Sequence, residues 1–201
     1  MTAVPGFLPS TNGLHFANRF PAGPTAMFGP IDPRWFGIGD ASSGLCGGMA
    51  WYVREWFDSG LPIPMDAEPP VNGSPLFQAL VRRQVQSLDW LRTPLRFWWV
   101  AAFGPERTIR RTREQECPHI RTTVDAGHLA MVGLIRHQGI NPFRLTESHQ
   151  VLAFSAESAG DSGTFGIYDP NWPGRDDVTI VADANGVRQS TGETLYGFFE
   201  L

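Results

Sequence analysis

Lysine is absent: every one of the 16 basic residues is arginine. Together with abundant Ala, Gly and Pro, this is the composition expected from a GC-rich bacterial genome. Positive charge is also short overall. The net charge is −4 and the pI about 5.7, which gives no support for a nucleic-acid surface or a polybasic membrane patch. Cysteine is scarce. Cys46 and Cys117 are the only two, too few for a disulfide framework or a zinc cluster. A lone thiol of chemical importance fits a reducing compartment. No apolar run reaches the ~18 residues needed to span a bilayer. Met1 to Pro9 lacks a charged segment followed by an apolar stretch, so no signal peptide is expected. These absences point to a cytoplasmic protein, with export by a non-classical route left open. No cofactor is expected.

What is present begins with hydrophobic content of 42% over 201 residues, enough for one domain with a substantial core. The stretch Gly44-Leu45-Cys46-Gly47-Gly48-Met49 leads into a helical pattern. Cys46, Met49, Val53, Trp56 and Phe57 recur at helical spacing and predict one buried stripe. Cys46 then opens the helix. The first N–H groups of a helix lack internal partners, and the dipole there favours negative charge. A thiol in that place is drawn toward thiolate, the nucleophilic form. A buried structural cysteine also fits this stretch taken alone. Gly47 and Gly48 are poor helix formers, which predicts a close approach of something to the backbone beside the sulfur.

Residues 1–37 are rich in turn signals yet carry Phe7, Leu14, Phe16, Phe20, Phe28, Trp35 and Phe36. That is too apolar for a disordered tail and predicts an ordered arm. His15 and Asp32 within it read as surface or packing residues. Residues 38–120 read as mainly helical. Ser59-Gly60 ends the first helix, Leu61 to Gly73 is a Pro-rich loop, and Ser74-Pro75 caps a second helix reaching about Asp89. Trp90 to Phe103 is aromatic core, with a hydrophobic substrate groove as the alternative. Arg107 to Glu114 reads as a solvated helix or loop face. Cys117-Pro118-His119 is too small a set for a metal site, so Cys117 reads as incidental.

Residues 121–201 read as mainly β. Strands are expected at His128–Ile135, Ser148–Phe154, Thr164–Tyr168, Val178–Val181 and Thr194–Phe199. Ser155 to Gly163 reads as a polar turn, and Asn185-Gly186 as a hairpin. Helices first and strands later predict a single α+β domain with an antiparallel sheet.

Three segments carry a resemblance. Gly44-Leu45-Cys46-Gly47-Gly48-Met49 resembles the nucleophile segment of the papain-like cysteine peptidase superfamily. Ser148-His149-Gln150-Val151-Leu152 is similar to its histidine strand. Tyr168-Asp169-Pro170-Asn171 resembles the aspartate-proline form of the third element in bacteriocin-processing, double-glycine peptidase-like proteins. The resemblance covers about residues 38–182, with Pro62 to Glu116 outside it. It implies a papain-like fold, a nucleophile helix packed on a C-terminal antiparallel sheet, and a triad of Cys46, His149 and either Asp169 or Asn171.

The chemistry needs those types: a cysteine wants an imidazole beside it, and the imidazole wants a third group to orient it. The implied activity is hydrolysis of a peptide, amide or thioester through an acyl-enzyme. Acyl transfer by the same triad, or a non-catalytic binding module, are the alternatives. The superfamily usually places a glutamine about six residues before the cysteine as oxyanion donor. Here Asp40 stands there, and a carboxylate repels an oxyanion. Either Asp40 is turned away or protonated, or the Cys46 backbone N–H acts with another donor, Ser42 and Ser43 being candidates.

Overall fold

The computed structural model describes residues 1–21, 44–87, 100, 104–137, 149–159 and 162–201. The expectations for Phe28, Asp32, Trp35, Phe36, Asp40, Ser42 and Ser43 lie outside these residues, as do those for Ser148 and the Trp90–Phe103 segment apart from Val100.

The fold is α+β, helices first and a curled antiparallel sheet after. The chain starts with a short strand β1 (Thr2–Ala3) and one turn of helix α1 (Pro9–Asn12). Then come α2 (Cys46–Asp58), α3 (Pro75–Ser87), α4 (Pro105–Arg111) and α5 (Cys117–Asp125), the last two joined by a π-helical turn at Thr112–Glu116. The strands are β2 (Ala130–Ile135), β3 (His149–Ala159), β4 (Ser162–Tyr168), β5 (Thr179–Asp183), β6 (Gly186–Gln189), β7 (Thr194–Leu195) and β8 (Gly197–Glu200).

The sheet runs β7-β6-β5-β4-β3-β2-β8, and β1 pairs with β3. Its two ends meet through one segment. Thr194 and Leu195 pair with β6, while Gly197 to Glu200 pair with β2. Between them the Tyr196 N–H donates to the Ile135 carbonyl at 2.9 Å. The shared segment thus curls the sheet and bridges its two end strands. The run Thr194–Phe199 expected as one strand is therefore split at Tyr196, because its two parts serve different neighbours.

Ser155 to Gly163, expected as a turn, is mostly strand: β3 continues to Ala159 and β4 starts at Ser162. The polar residue is accommodated at a bulge between Ala153 and Ser155, where the buried Ser155 hydroxyl accepts the Gly166 N–H at 3.1 Å. Asn185-Gly186 does form the hairpin, with Asp183 opposite Gly186. The strand β6 after it carries too short an alternation to stand out.

The helical stripe is shifted from expectation. Met49, Ala50 and Val53 are fully buried, while Trp56 and Phe57 are only partly so. Only the first turns of α2 lie deep. Farther along, Trp56 stacks on Tyr52 at 3.9 Å with the Arg83 guanidinium over both rings. Phe57 meets the edge of Phe7 from the N-terminal arm at 5.1 Å. Within the arm Phe7, Leu14, Phe16 and Phe20 are buried and His15 is half-buried, so its described part is ordered cover over the core.

The Arg107–Glu114 stretch is helical, but not all of it is solvated. Thr108, Thr112 and Glu116 are buried. The Thr112 hydroxyl exchanges hydrogen bonds with the Phe198 N–H and carbonyl, both at 3.2 Å. The wider π turn places that hydroxyl against β8. Ser74 caps α3 as expected, its hydroxyl accepting the Phe77 N–H at 3.3 Å.

Gly48 lies where α2 crosses α3. A Cβ there would sit 2.2 Å from the Leu80 carbonyl oxygen, a backbone atom that cannot step aside cheaply. Helix propensity alone makes Gly48→Ala stabilising by about 1 kcal/mol. The contact reverses the sign, with an expected net loss of about 1–3 kcal/mol from overpacking. Gly104→Ala, with no neighbour within 4 Å, is the control and stays within about 1 kcal/mol of the parent. Urea denaturation of the two variants checks this.

Candidate active site

Cys46 is the first residue of α2, and the helix start is capped from outside. The N-cap residue, Leu45, has no side-chain oxygen to offer. Asn18 of the arm accepts the Leu45 N–H at 2.6 Å, and Gln84 of α3 accepts the Gly48 N–H at 2.8 Å. Two of the helix's orphan donors are thus satisfied by distant segments. Among the described residues no acceptor takes the Cys46 N–H. Gly44 enters this turn at φ +87°, and a Cβ on it would meet the Asn18 amide at 2.5 Å. Glycine is required there on both counts.

The close approach expected at Gly47 and Gly48 is real, but the neighbours are the protein's own. At Gly47 they are the side chains of Gln150 and Ser87; at Gly48, the backbone of α3.

His149 opens β3, and Asp169 directly follows β4. These strands are antiparallel, so the start of one lies beside the end of the other, with Leu152 opposite Tyr168. The ring Nε2 of His149 meets Asp169 Oδ1 at 2.6 Å. The other ring nitrogen, Nδ1, is left for Cys46, whose thiol is electrostatically coupled to the ring. Sequence reasoning left the third position open between Asp169 and Asn171. The structure places the Asp169 carboxylate in it. The Asn171 amide stands off at 3.4 Å from Nε2, and its backbone N–H donates to Asp169 Oδ1 at 2.8 Å.

The electrostatics follow from the pairing. Burial alone disfavours the His149 cation, yet Asp169 and Cys46 outweigh it, by charge and by hydrogen bonds, and raise the imidazolium pKa to about 9. Burial also works against a Cys46 thiolate. The His149 charge and hydrogen bond, with the backbone N–H groups of Gln150 and Gly47, overcome this and hold the thiol below its ordinary value. Burial opposes ionisation of Asp169 too, and again the partners win: His149 first, then the Asn171 N–H and Gln189. Cys117 is the contrast. Burial and the neighbouring Glu116 push it up to about 12.

Two participants escaped sequence reasoning. Gln189, on β6, donates its amide to Asp169 Oδ2 at 2.8 Å. Asn18 ties the loops together. Besides holding Leu45, it donates its N–H to the Pro170 carbonyl at 2.9 Å, and its amide stands 3.4 Å from the Asn171 side-chain oxygen. Neither carries a local signal, since both reach the site only through long-range folding.

Asp40, expected near the oxyanion, lies outside the described residues. Among those described, no three His, Cys, Asp or Glu side chains are placed to hold a metal ion. No helix among them is long and apolar enough to cross a membrane. None of the family models, curated proteins or solved structures compared with the chain matches it.

Two outcomes follow from this geometry. Iodoacetamide at neutral pH should alkylate Cys46 far faster than Cys117, as read by peptide mass spectrometry of the folded protein; equal rates would remove the ion pair. Asn18→Ala should cost about 1–2 kcal/mol in denaturation, since it strips a cap and a loop tie together. The same variant should slow Cys46 alkylation.

Proposed function

We propose that the protein is a cysteine hydrolase working through a thiolate–imidazolium pair. The observation that carries this is the buried chain Cys46–His149–Asp169, closed by a 2.6 Å contact between His149 and Asp169. A binding module has no need of a buried ion pair whose thiol is held in its reactive form. A buried structural cysteine would instead resemble Cys117, with its thiol raised.

Within that class, the reading favoured is a papain-like peptidase or amidase, closest in pattern to the double-glycine peptidase-like proteins. Its supports are the order of Cys46, His149 and Asp169 along the chain, and the nucleophile helix preceding an antiparallel sheet. The Asp169-Pro170 form of the third element points the same way.

The reaction runs in two halves. The Cys46 thiolate attacks the carbonyl carbon of a peptide, amide or thioester, and the Cys46 backbone N–H at the helix start faces the developing oxyanion. The imidazolium of His149 gives its proton to the departing amine or thiol, the bond to that group breaks, and a thioester to Cys46 remains. His149, now neutral, takes a proton from water. The resulting hydroxide equivalent attacks the thioester, the acid leaves, and the Cys46 thiolate and imidazolium are restored. Asp169 keeps the ring in the tautomer that presents Nδ1 to sulfur.

An electrophilic acyl probe should label Cys46 and not Cys117. On any acyl substrate that screening yields, Cys46→Ala should lower turnover by about 10³-fold or more. Turnover needs the ion pair, so the profile should be a bell. Its alkaline limb lies near 9, where His149 loses its proton, and its acid limb falls below the ordinary thiol range. Product appearing on an added amine instead of water would identify acyl transfer. Turnover surviving in Cys46→Ala would refute the nucleophile.

A further inference from the structure

Asp169 holds its two carboxylate oxygens unequally. Oδ1 receives His149 Nε2 at 2.6 Å and the Asn171 N–H at 2.8 Å. Oδ2 receives the Gln189 amide at 2.8 Å. Asp169 exposes only 1% of its surface and Gln189 only 3%, so the contact is shielded from bulk solvent.

Gln189 sits where an aliphatic residue is the usual choice. On β6 it shares the inward face with Val187, and Arg188 between them points out. An amide in such a slot must find partners or be costly, and the Gln189 Oε1 is buried with none among the described residues. The residue therefore keeps an unsatisfied acceptor for the sake of its donor, and that donor is spent on Asp169.

We propose that Gln189 is a positioning residue of the active site: it pins the free oxygen of the Asp169 carboxylate, and so fixes the His149 ring against Cys46. This rests on the reading that Cys46, His149 and Asp169 act as a unit. Without Gln189, Oδ2 is left buried and bare, the carboxylate is free to turn, and its anionic form loses a donor. His149 then holds its proton less firmly, and Cys46 is less readily a thiolate. The titratable groups facing this chain are His149 and, beyond it, Cys46. Tyr168, next in sequence to Asp169, is buried with its phenol pushed far above its ordinary value and stays neutral.

The test uses the pH profile of Cys46 alkylation, which needs no substrate. Gln189→Met keeps the volume and loses the donor; Gln189→Asn keeps an amide that is too short to reach. Val187→Ala, on the same face of β6, reports a purely structural loss. In the parent protein the acid limb should lie well below the ordinary thiol range. In either Gln189 variant it should move up by about half a unit, slowing alkylation about three-fold at every pH below the limb. Val187→Ala should lower the melting temperature without moving the limb. A low limb in the parent that stays put in a folded Gln189 variant overturns the role of Gln189 and leaves the triad standing. A parent limb at the ordinary thiol value overturns the triad itself, and this inference with it. If one Gln189 variant fails to fold, the other decides.

Discussion

A histidine almost removed from water, yet holding its proton to about 9, is the constraint on which the site depends. A buried cation is tolerated only where anions and acceptors replace the solvent. The structure supplies Asp169 on one side of the ring and the Cys46 sulfur on the other. Each of the three ionised forms is favoured by its neighbour in the chain. Taking away one member of such a buried pair typically costs about 3–5 kcal/mol, because the remaining charge is stranded. The arrangement that lowers the Cys46 thiol below its ordinary value also links the start of α2 to the start of β3 and the end of β4.

Much of the surrounding architecture serves to keep those segments in register. Asn18 reaches in from the arm to hold the turn before Cys46 and the Asp169–Asn171 turn at once. The arm itself is anchored by β1, which takes over the edge of β3 where β2 stops: Ala3 lies opposite Ser155, and Ala130 opposite Ala153. Gly48 lets α3 come close enough for Gln84 to cap α2. The curl of the sheet brings β6, with Gln189, to the carboxylate of Asp169. Each of these ties joins residues far apart in sequence, so the site is a property of the assembled fold and not of any one segment.

Specific hydrogen bonds explain why the second half of the chain tolerates polar residues inside. Ser155 at the bulge, Gln189 on β6 and Thr112 on the π turn are buried, and each has a hydrogen-bond partner on another segment. In a low-dielectric interior such bonds are rigid positional markers, since a slip of register would leave a polar group unpaired.

The sequence by itself determined the α+β order, the helix opening at Cys46, the strand opening at His149 and the turn at Asp169. These are local: a 3.6-residue period after a glycine turn, alternation in a short strand, and a proline that ends one. It also marked Cys46 as the cysteine of interest, because it opens an amphipathic helix beside glycines, and left Cys117 as incidental. Tertiary structure decided the rest. It selected Asp169 over Asn171, whose side chains sit two residues apart and differ only in reach. It decided that Gly47 and Gly48 make room for side chains and helix, and that most of Ser155 to Gly163 extends β3 and β4. It recruited Asn18 and Gln189, which nothing around them in the chain distinguishes. The reason is physical: hydrogen bonds and charge pairing act across space within a few ångströms, and only the closure of the sheet and the packing of the arm bring those distances about.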